Sequence, residues 1–192
     1  MKLKYNRMFF GRKKNRITFV HLNKPWKLGL AGMVTSPLFE DKIAVAVDDT
    51  PMEESDYDYA CLACNRDGGS PRIMMTSRVF YDIKRGHAEA RTILLHELGH
   101  YWNKDISPGK CTDQAQREHL VVCGSVSEAE LRADAFAVAY LGRETVIAGL
   151  SALKERILRD YANHDMADIE LTVKELDARI TYLMKNERGI DA

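Results

Sequence analysis

His96 and His100 stand four residues apart at the end of an apolar run, Thr92-Ile93-Leu94-Leu95-His96-Glu97-Leu98-Gly99-His100, and no other feature narrows the possible folds as much. The run reads as a helix. At 3.6 residues per turn, positions four apart differ by about 40° around the axis, so both imidazoles face one point in space. That spacing suits a zinc ion. Glu97, about 100° further round, lies off the ligand stripe but near enough to reach a water at the metal, which is the place for a general base.

Catalytic zinc takes three protein ligands and keeps a fourth position open, so a third donor is required. The segment Ser127-Glu128-Ala129-Glu130-Leu131-Arg132-Ala133-Asp134-Ala135-Phe136-Ala137 supplies a candidate. Glu130 and Asp134 share one helical face in mostly apolar surroundings, where an unpaired carboxylate is costly. Glu130 can bind the zinc. Asp134 can accept from the ring of a metal-bound histidine, fixing its tautomer, and His96 is the natural recipient. The rival reading makes Glu130 the acid of a capping box with Ser127. Ser125 and Glu128 offer an earlier box that frees Glu130 to face inward, and Arg132 can pair an acid on the same helix.

The chain has 192 residues and the composition of one globular domain, spanning 1–192, with no internal repeats. No apolar run approaches the roughly 18 to 20 residues needed to cross a bilayer, and Met8-Phe9-Phe10 is too short for a signal-peptide core. The expectation is a cytoplasmic protein with no membrane span. Net charge is zero, yet residues 1–39 hold nine Lys or Arg and no acid, while Glu40 to Asp58 is strongly acidic. The basic segment is read as neutralised within the fold, and nucleic-acid binding is the lesser reading because few aromatics accompany the lysines. Cys61-Leu62-Ala63-Cys64 has CxxC spacing, but Cys111 and Cys123 are too far apart to match it. Idle reduced thiols are expected rather than a second, structural zinc at Cys61, Cys64, Cys111 and Cys123.

β-leaning runs occur at Arg16–Leu22, Lys42–Val47 and Arg72–Tyr81, and helical patterns near 88–103, 127–141, 144–162 and 168–186, the second stopped by Gly142. Strands first and helices later predict an α+β fold, a small N-terminal sheet with the histidine helix followed by C-terminal helices. The sequence divides into a basic segment at 1–39, an acidic and loop-like segment at 40–71, and a core at 72–186.

The pairing of HELGH with the later Glu130-Leu131-Arg132-Ala133-Asp134-Ala135-Phe136-Ala137 resembles the gluzincin metallopeptidases, above all the HtpX-like and prenyl-protein endopeptidase group. The likeness covers roughly residues 72–184, including Arg179-Ile180 and Leu183, and is similar to the soluble minimal forms without membrane helices. The family's His-Pro before the later arginine is replaced by Thr172-Val173. The resemblance implies a zincin-like fold and a zinc-dependent endopeptidase acting on a peptide or protein substrate. His96, His100 and Glu130 would hold the metal, Glu97 would be the base, and Arg72–Tyr81 the edge strand above the cleft. His164, Arg179, Tyr140 and Tyr182 are conceivable oxyanion donors. The competing reading is a non-catalytic zinc-stabilised binding module; a third keeps the enzyme but makes Glu40–Asp58 an inhibitory flap. Substrate preference and oligomeric state are not encoded in any motif.

Overall fold

A computed structural model of the chain describes residues 5–23, 28–49, 59–63, 71–105, 126–161 and 166–186. The fold is α+β. Six strands form one sheet: β1 (Tyr5–Phe10), β2 (Ile17–Leu22), β3 (Leu28–Thr35), β4 (Ile43–Asp48), β5 (Ala60–Ala63) and β6 (Arg72–Met75). Their order is β1-β2-β3-β4-β6-β5. The first four are antiparallel neighbours, β4 and β6 run parallel, and β5 returns antiparallel on β6. A parallel step needs a long connection, here the stretch from 49 to 71 that contains β5.

Alternation within β2 and β4 fixes which face is buried. Ile17, Phe19 and His21, and Ile43, Val45 and Val47, point to the helices, while Thr18, Val20 and Ala44 point away and are half-buried. The basic segment at 1–39 supplies three strands and the 40–71 segment two more, so both are built into the sheet. Among the described residues the edges of the sheet are β1 and β5.

The expected strand Arg72–Tyr81 is corrected by the structure. It ends at Met75, lies inside the sheet between β4 and β5, and gives way to helix α1 (Ser77–Arg85). Thr76 is the cause: its side chain accepts from Val79 N at 3.4 Å as an N-cap. Val79, Phe80 and Ile83 then recur at helical spacing, and Gly86 at φ 85° closes the helix in the left-handed region. The edge strand is instead β5.

Helix α2 (Ala88–Trp102) is the central element. It is apolar on most sides, which is the pattern of a helix buried all round. Leu94, Leu95 and Leu98 are fully buried, each contributing about 1.5–3 kcal/mol. It packs on β5, on α1, on α3 (Glu128–Leu141) and on α4 (Arg143–Asp160), and α5 (Met166–Lys185) lies against α4. The tightest approach is between α2 and α3 at Gly99, where a Cβ would lie 2.7 Å from Ala133 Cα. Only glycine permits it. Among the described residues no helix is long and apolar enough to cross a membrane.

Candidate metal centre

The fold brings His96 and His100 of α2 against Glu130 of α3. His96 Nε2 lies 3.0 Å from His100 Nε2 and 3.0 Å from Glu130 Oε2, and His100 Nε2 lies 3.3 Å from Glu130 Oε1. These residues form a group able to hold a metal ion. The size of the triangle tests the fit. An ion bound tetrahedrally at about 2.1 Å from each ligand keeps the donors roughly 3.4 Å apart. The observed separations are within a few tenths of an ångström of that value, so an ion fits with small adjustments. Two imidazoles and one carboxylate are also a donor set that divalent transition metals accept.

The capping box set against the ligand role in the sequence is only half formed, because Ser127 caps the helix but the Glu130 side chain does not. Ser127 is the N-cap of α3, and its hydroxyl accepts from Glu130 N at 3.3 Å. The Glu130 carboxylate, however, turns inward to the imidazoles and to Arg179 Nη1, 3.1 Å away. Backbone caps the helix while side chain completes the triangle.

Behind the triangle each imidazole is held by its own carboxylate. His96 Nδ1 is 2.8 Å from Asp134 Oδ1, in the pairing the sequence suggested, and Asp134 is fully buried. Asp134 in turn takes a two-pronged bond from Arg179, Nε to Oδ2 at 2.8 Å and Nη2 to Oδ1 at 2.6 Å. His100 Nδ1 is 3.1 Å from Asp105 Oδ2, and Arg132 Nη2 donates to Asp105 Oδ1 at 2.7 Å. The sequence reading missed Asp105. Its placement comes from the end of α2, where Lys104 N bonds Tyr101 O and Asp105 N bonds His100 O. Those two bonds are a Schellman closure, with Lys104 at φ 58° in the position that glycine prefers. A lysine held there costs about 1 kcal/mol, and the turn folds Asp105 back beneath His100. The cue available was a carboxylate a few residues past the second histidine, which is weak until the turn is known.

The charges follow from this packing. Burial pushes the Glu130 carboxyl up, but the His96 charge, bonds from both imidazoles and Arg179 hold it well below the usual range. Asp134, also opposed by burial, is lowered to about 2 by Arg179 and His96. Burial and Arg179 push His96 down, yet Glu130 and Asp134 outweigh them and raise it to about 10. His100 is raised too, against burial, by Glu130.

Glu97 lies off the ligand stripe and is half-buried. Its Oε2 accepts from the backbone N–H of Leu62, in edge strand β5, at 2.8 Å. Burial raises its carboxyl above the ordinary value, with His96 and His100 opposing. Among the four residues considered as oxyanion donors, Arg179 is committed to Asp134 and Glu130, Tyr140 packs on Phe136, and Tyr182 is 41% exposed. His164 lies outside the described residues. So do Cys64, Cys111, Cys123 and the Cys61 side chain, and the acidic segment beyond Asp49 up to Asp58.

Searched against protein-family models, curated proteins and solved structures, the chain matches none.

Proposed function

We propose that this chain is a zinc-dependent endopeptidase with a zincin-like domain of the gluzincin kind. The reading is carried by one observation: two imidazoles from α2 and a carboxylate from α3 converge on one point, with a further glutamate, Glu97, near enough for both imidazoles to act on its carboxyl. Two histidines and a glutamate are the ligand set of one class of catalytic zinc site, and they leave a fourth position for water or substrate. Zinc held there supplies a Lewis acid that lowers the pKa of a water ligand toward 7 and polarises the scissile carbonyl.

The protein's own residues account for the rest. Glu97 takes the proton of the attacking water and returns it to the leaving amine, so the amide is hydrolysed without a covalent intermediate. Its raised carboxyl suits a group that must both accept and release a proton near neutral pH. Asp134 and Asp105 orient the two imidazoles, and Arg179 braces Asp134 and Glu130. Substrate binding falls to β5. Among the described residues no strand pairs with one side of this short edge strand, and Leu62 within it already touches Glu97. An extended peptide added to β5 as a further strand would lie along the general base.

The test is Glu97→Gln. Glutamine keeps an oxygen for Leu62 N–H but cannot move the proton. Zinc content by atomic spectroscopy should stay at wild-type level while cleavage of a peptide library falls roughly 10²- to 10⁴-fold. Undiminished cleavage by the metal-loaded variant would refute the mechanism, and a zinc-loaded wild-type chain that cuts no peptide would leave the site as a structural brace.

A further inference from the structure

We propose that Glu175 selects a positively charged group on the substrate, so that the site takes peptides carrying a lysine or arginine side chain, or a free amino terminus, beside the bond to be cut. The inference rests on the peptidase reading above and names the substrate class of that same site.

Glu175 lies on α5, one turn before Arg179 and on the same helical face. Its Oε1 is 3.6 Å from Arg179 Nη1, and that same nitrogen is 3.1 Å from Glu130 Oε2. Glu175 thus stands one guanidinium away from a metal-ligand candidate. It is also the most open acid of that group, with 27% of its side chain exposed against 17% for Glu130 and none for Asp134.

Charge balance gives this position its meaning. Four carboxylates gather here: Glu97, Glu130, Asp134 and Glu175. Among the described residues Arg179 reaches three of them, with short bonds to Asp134 and Glu130 and a 3.6 Å approach to Glu175. Asp105, the remaining acid nearby, is matched by Arg132. A divalent ion with neutral imidazole ligands, together with Arg179, balances Glu97, Glu130 and Asp134. Glu175, which shares Arg179 at 3.6 Å, is then the least compensated of the acids that this guanidinium reaches. Burial followed by the neighbouring Glu130 pushes its carboxyl up, with Arg179 opposing. A half-buried carboxylate that shares its counter-charge with two other acids keeps part of its desolvation cost, and a cation brought by the substrate relieves that cost. At about 3.3 Å per residue of extended chain, such a cation falls within one or two residues of the scissile bond.

The experiment uses the zinc-loaded full chain and matched peptides that carry lysine or uncharged norleucine at each position flanking the cut, each with a free or an acetylated amino terminus. Cleavage is followed as kcat/KM, and binding in parallel by fluorescence anisotropy. Wild type should favour the cationic member of a pair by about tenfold. The acetylated arm tells a side chain from an amino terminus as the source. Glu175→Gln should erase the preference at unchanged zinc content, and Glu175→Lys should turn it toward glutamate-containing peptides. Equal treatment of the two peptides by wild type, or a preference that survives Glu175→Gln, overturns the proposal while leaving the hydrolase reading intact. If no peptide is cut but the lysine peptide binds more tightly and Glu175→Gln abolishes the difference, the cation site stands and the hydrolase reading falls.

Discussion

Helix α2 carries a buried ionic cluster toward each end, and the two follow opposite plans. Near its N-terminus, Glu89 lies 2.8 Å from Arg156 Nε, and Asp82 of α1 lies 2.9 Å from Arg156 Nη2. The guanidinium fills the centre and the acids surround it. Toward the C-terminus the arrangement is inverted. His96, His100 and Glu130 turn their lone-pair atoms toward one another, and the local guanidinium, Arg179, stands behind Asp134 and beside Glu130. The first cluster has brought its own cation. The second has assembled the donors for one.

That contrast can be broken by single changes, each of which should act on one cluster and spare the other. His96→Ala should have the largest effect, lowering zinc affinity on the order of a thousandfold, about one ligand's share of a structural zinc site's binding energy. Competition with a chromogenic chelator would measure it, and near-normal affinity would remove His96 from the ligand set. Arg156→Met should cost roughly 3 kcal/mol of stability in denaturant unfolding, because two acids lose their buried partner. The cost sits at the low end of its range, since burial already raises the Glu89 carboxyl and lets it take up a proton. Zinc affinity should change less than twofold; a large loss would mean that the clusters are coupled along α2.

Asp105→Asn comes next, with a 10- to 100-fold loss of zinc affinity and little change in the stability of the metal-free protein. Unaltered affinity would reduce the Asp105 contact to a helix-end decoration. A further test varies pH. The metal-free imidazoles are held above their ordinary value, His96 at about 10, so at neutral pH an entering ion must displace protons. The sign follows: zinc binds more tightly as pH rises toward that value, by about tenfold per unit for each proton released. Calorimetry in two buffers of different ionisation enthalpy counts those protons, and a count of zero would contradict the assignment.

The sequence was most readable where one physical period dominates. The four-residue spacing of His96 and His100, and of Glu130 and Asp134, survives any tertiary context, and the structure places all four side chains together. β2 and β4 announce themselves by β-branched alternation. β1 and β3 did not. In β1 the outward residues Tyr5, Arg7 and Phe9 are exposed and mixed in character. β3 contains Gly29 and Gly32, which read as breaks. Gly32 is needed because a Cβ there would meet Phe19 and the Val20 carbonyl at 2.6 Å. The Arg72–Tyr81 run was split by a cap whose effect depends on one threonine hydroxyl. Asp105, Arg179 as a brace and the Leu62 contact to Glu97 all depend on chain segments far apart in sequence, or on a turn, and no local pattern encodes them.

The close backbone approach at Gly99 has a consequence for the three candidate ligands. Gly99 lies between Glu97 and His100, and its neighbour Ala133 lies between Glu130 and Asp134, so this contact works as a spacer gauge between the two ligand-bearing helices. A methyl group at position 99 would act as a shim. It would widen the bite of the triangle while leaving every donor atom chemically whole, so the grip on an ion is calibrated by a hydrogen that never touches it.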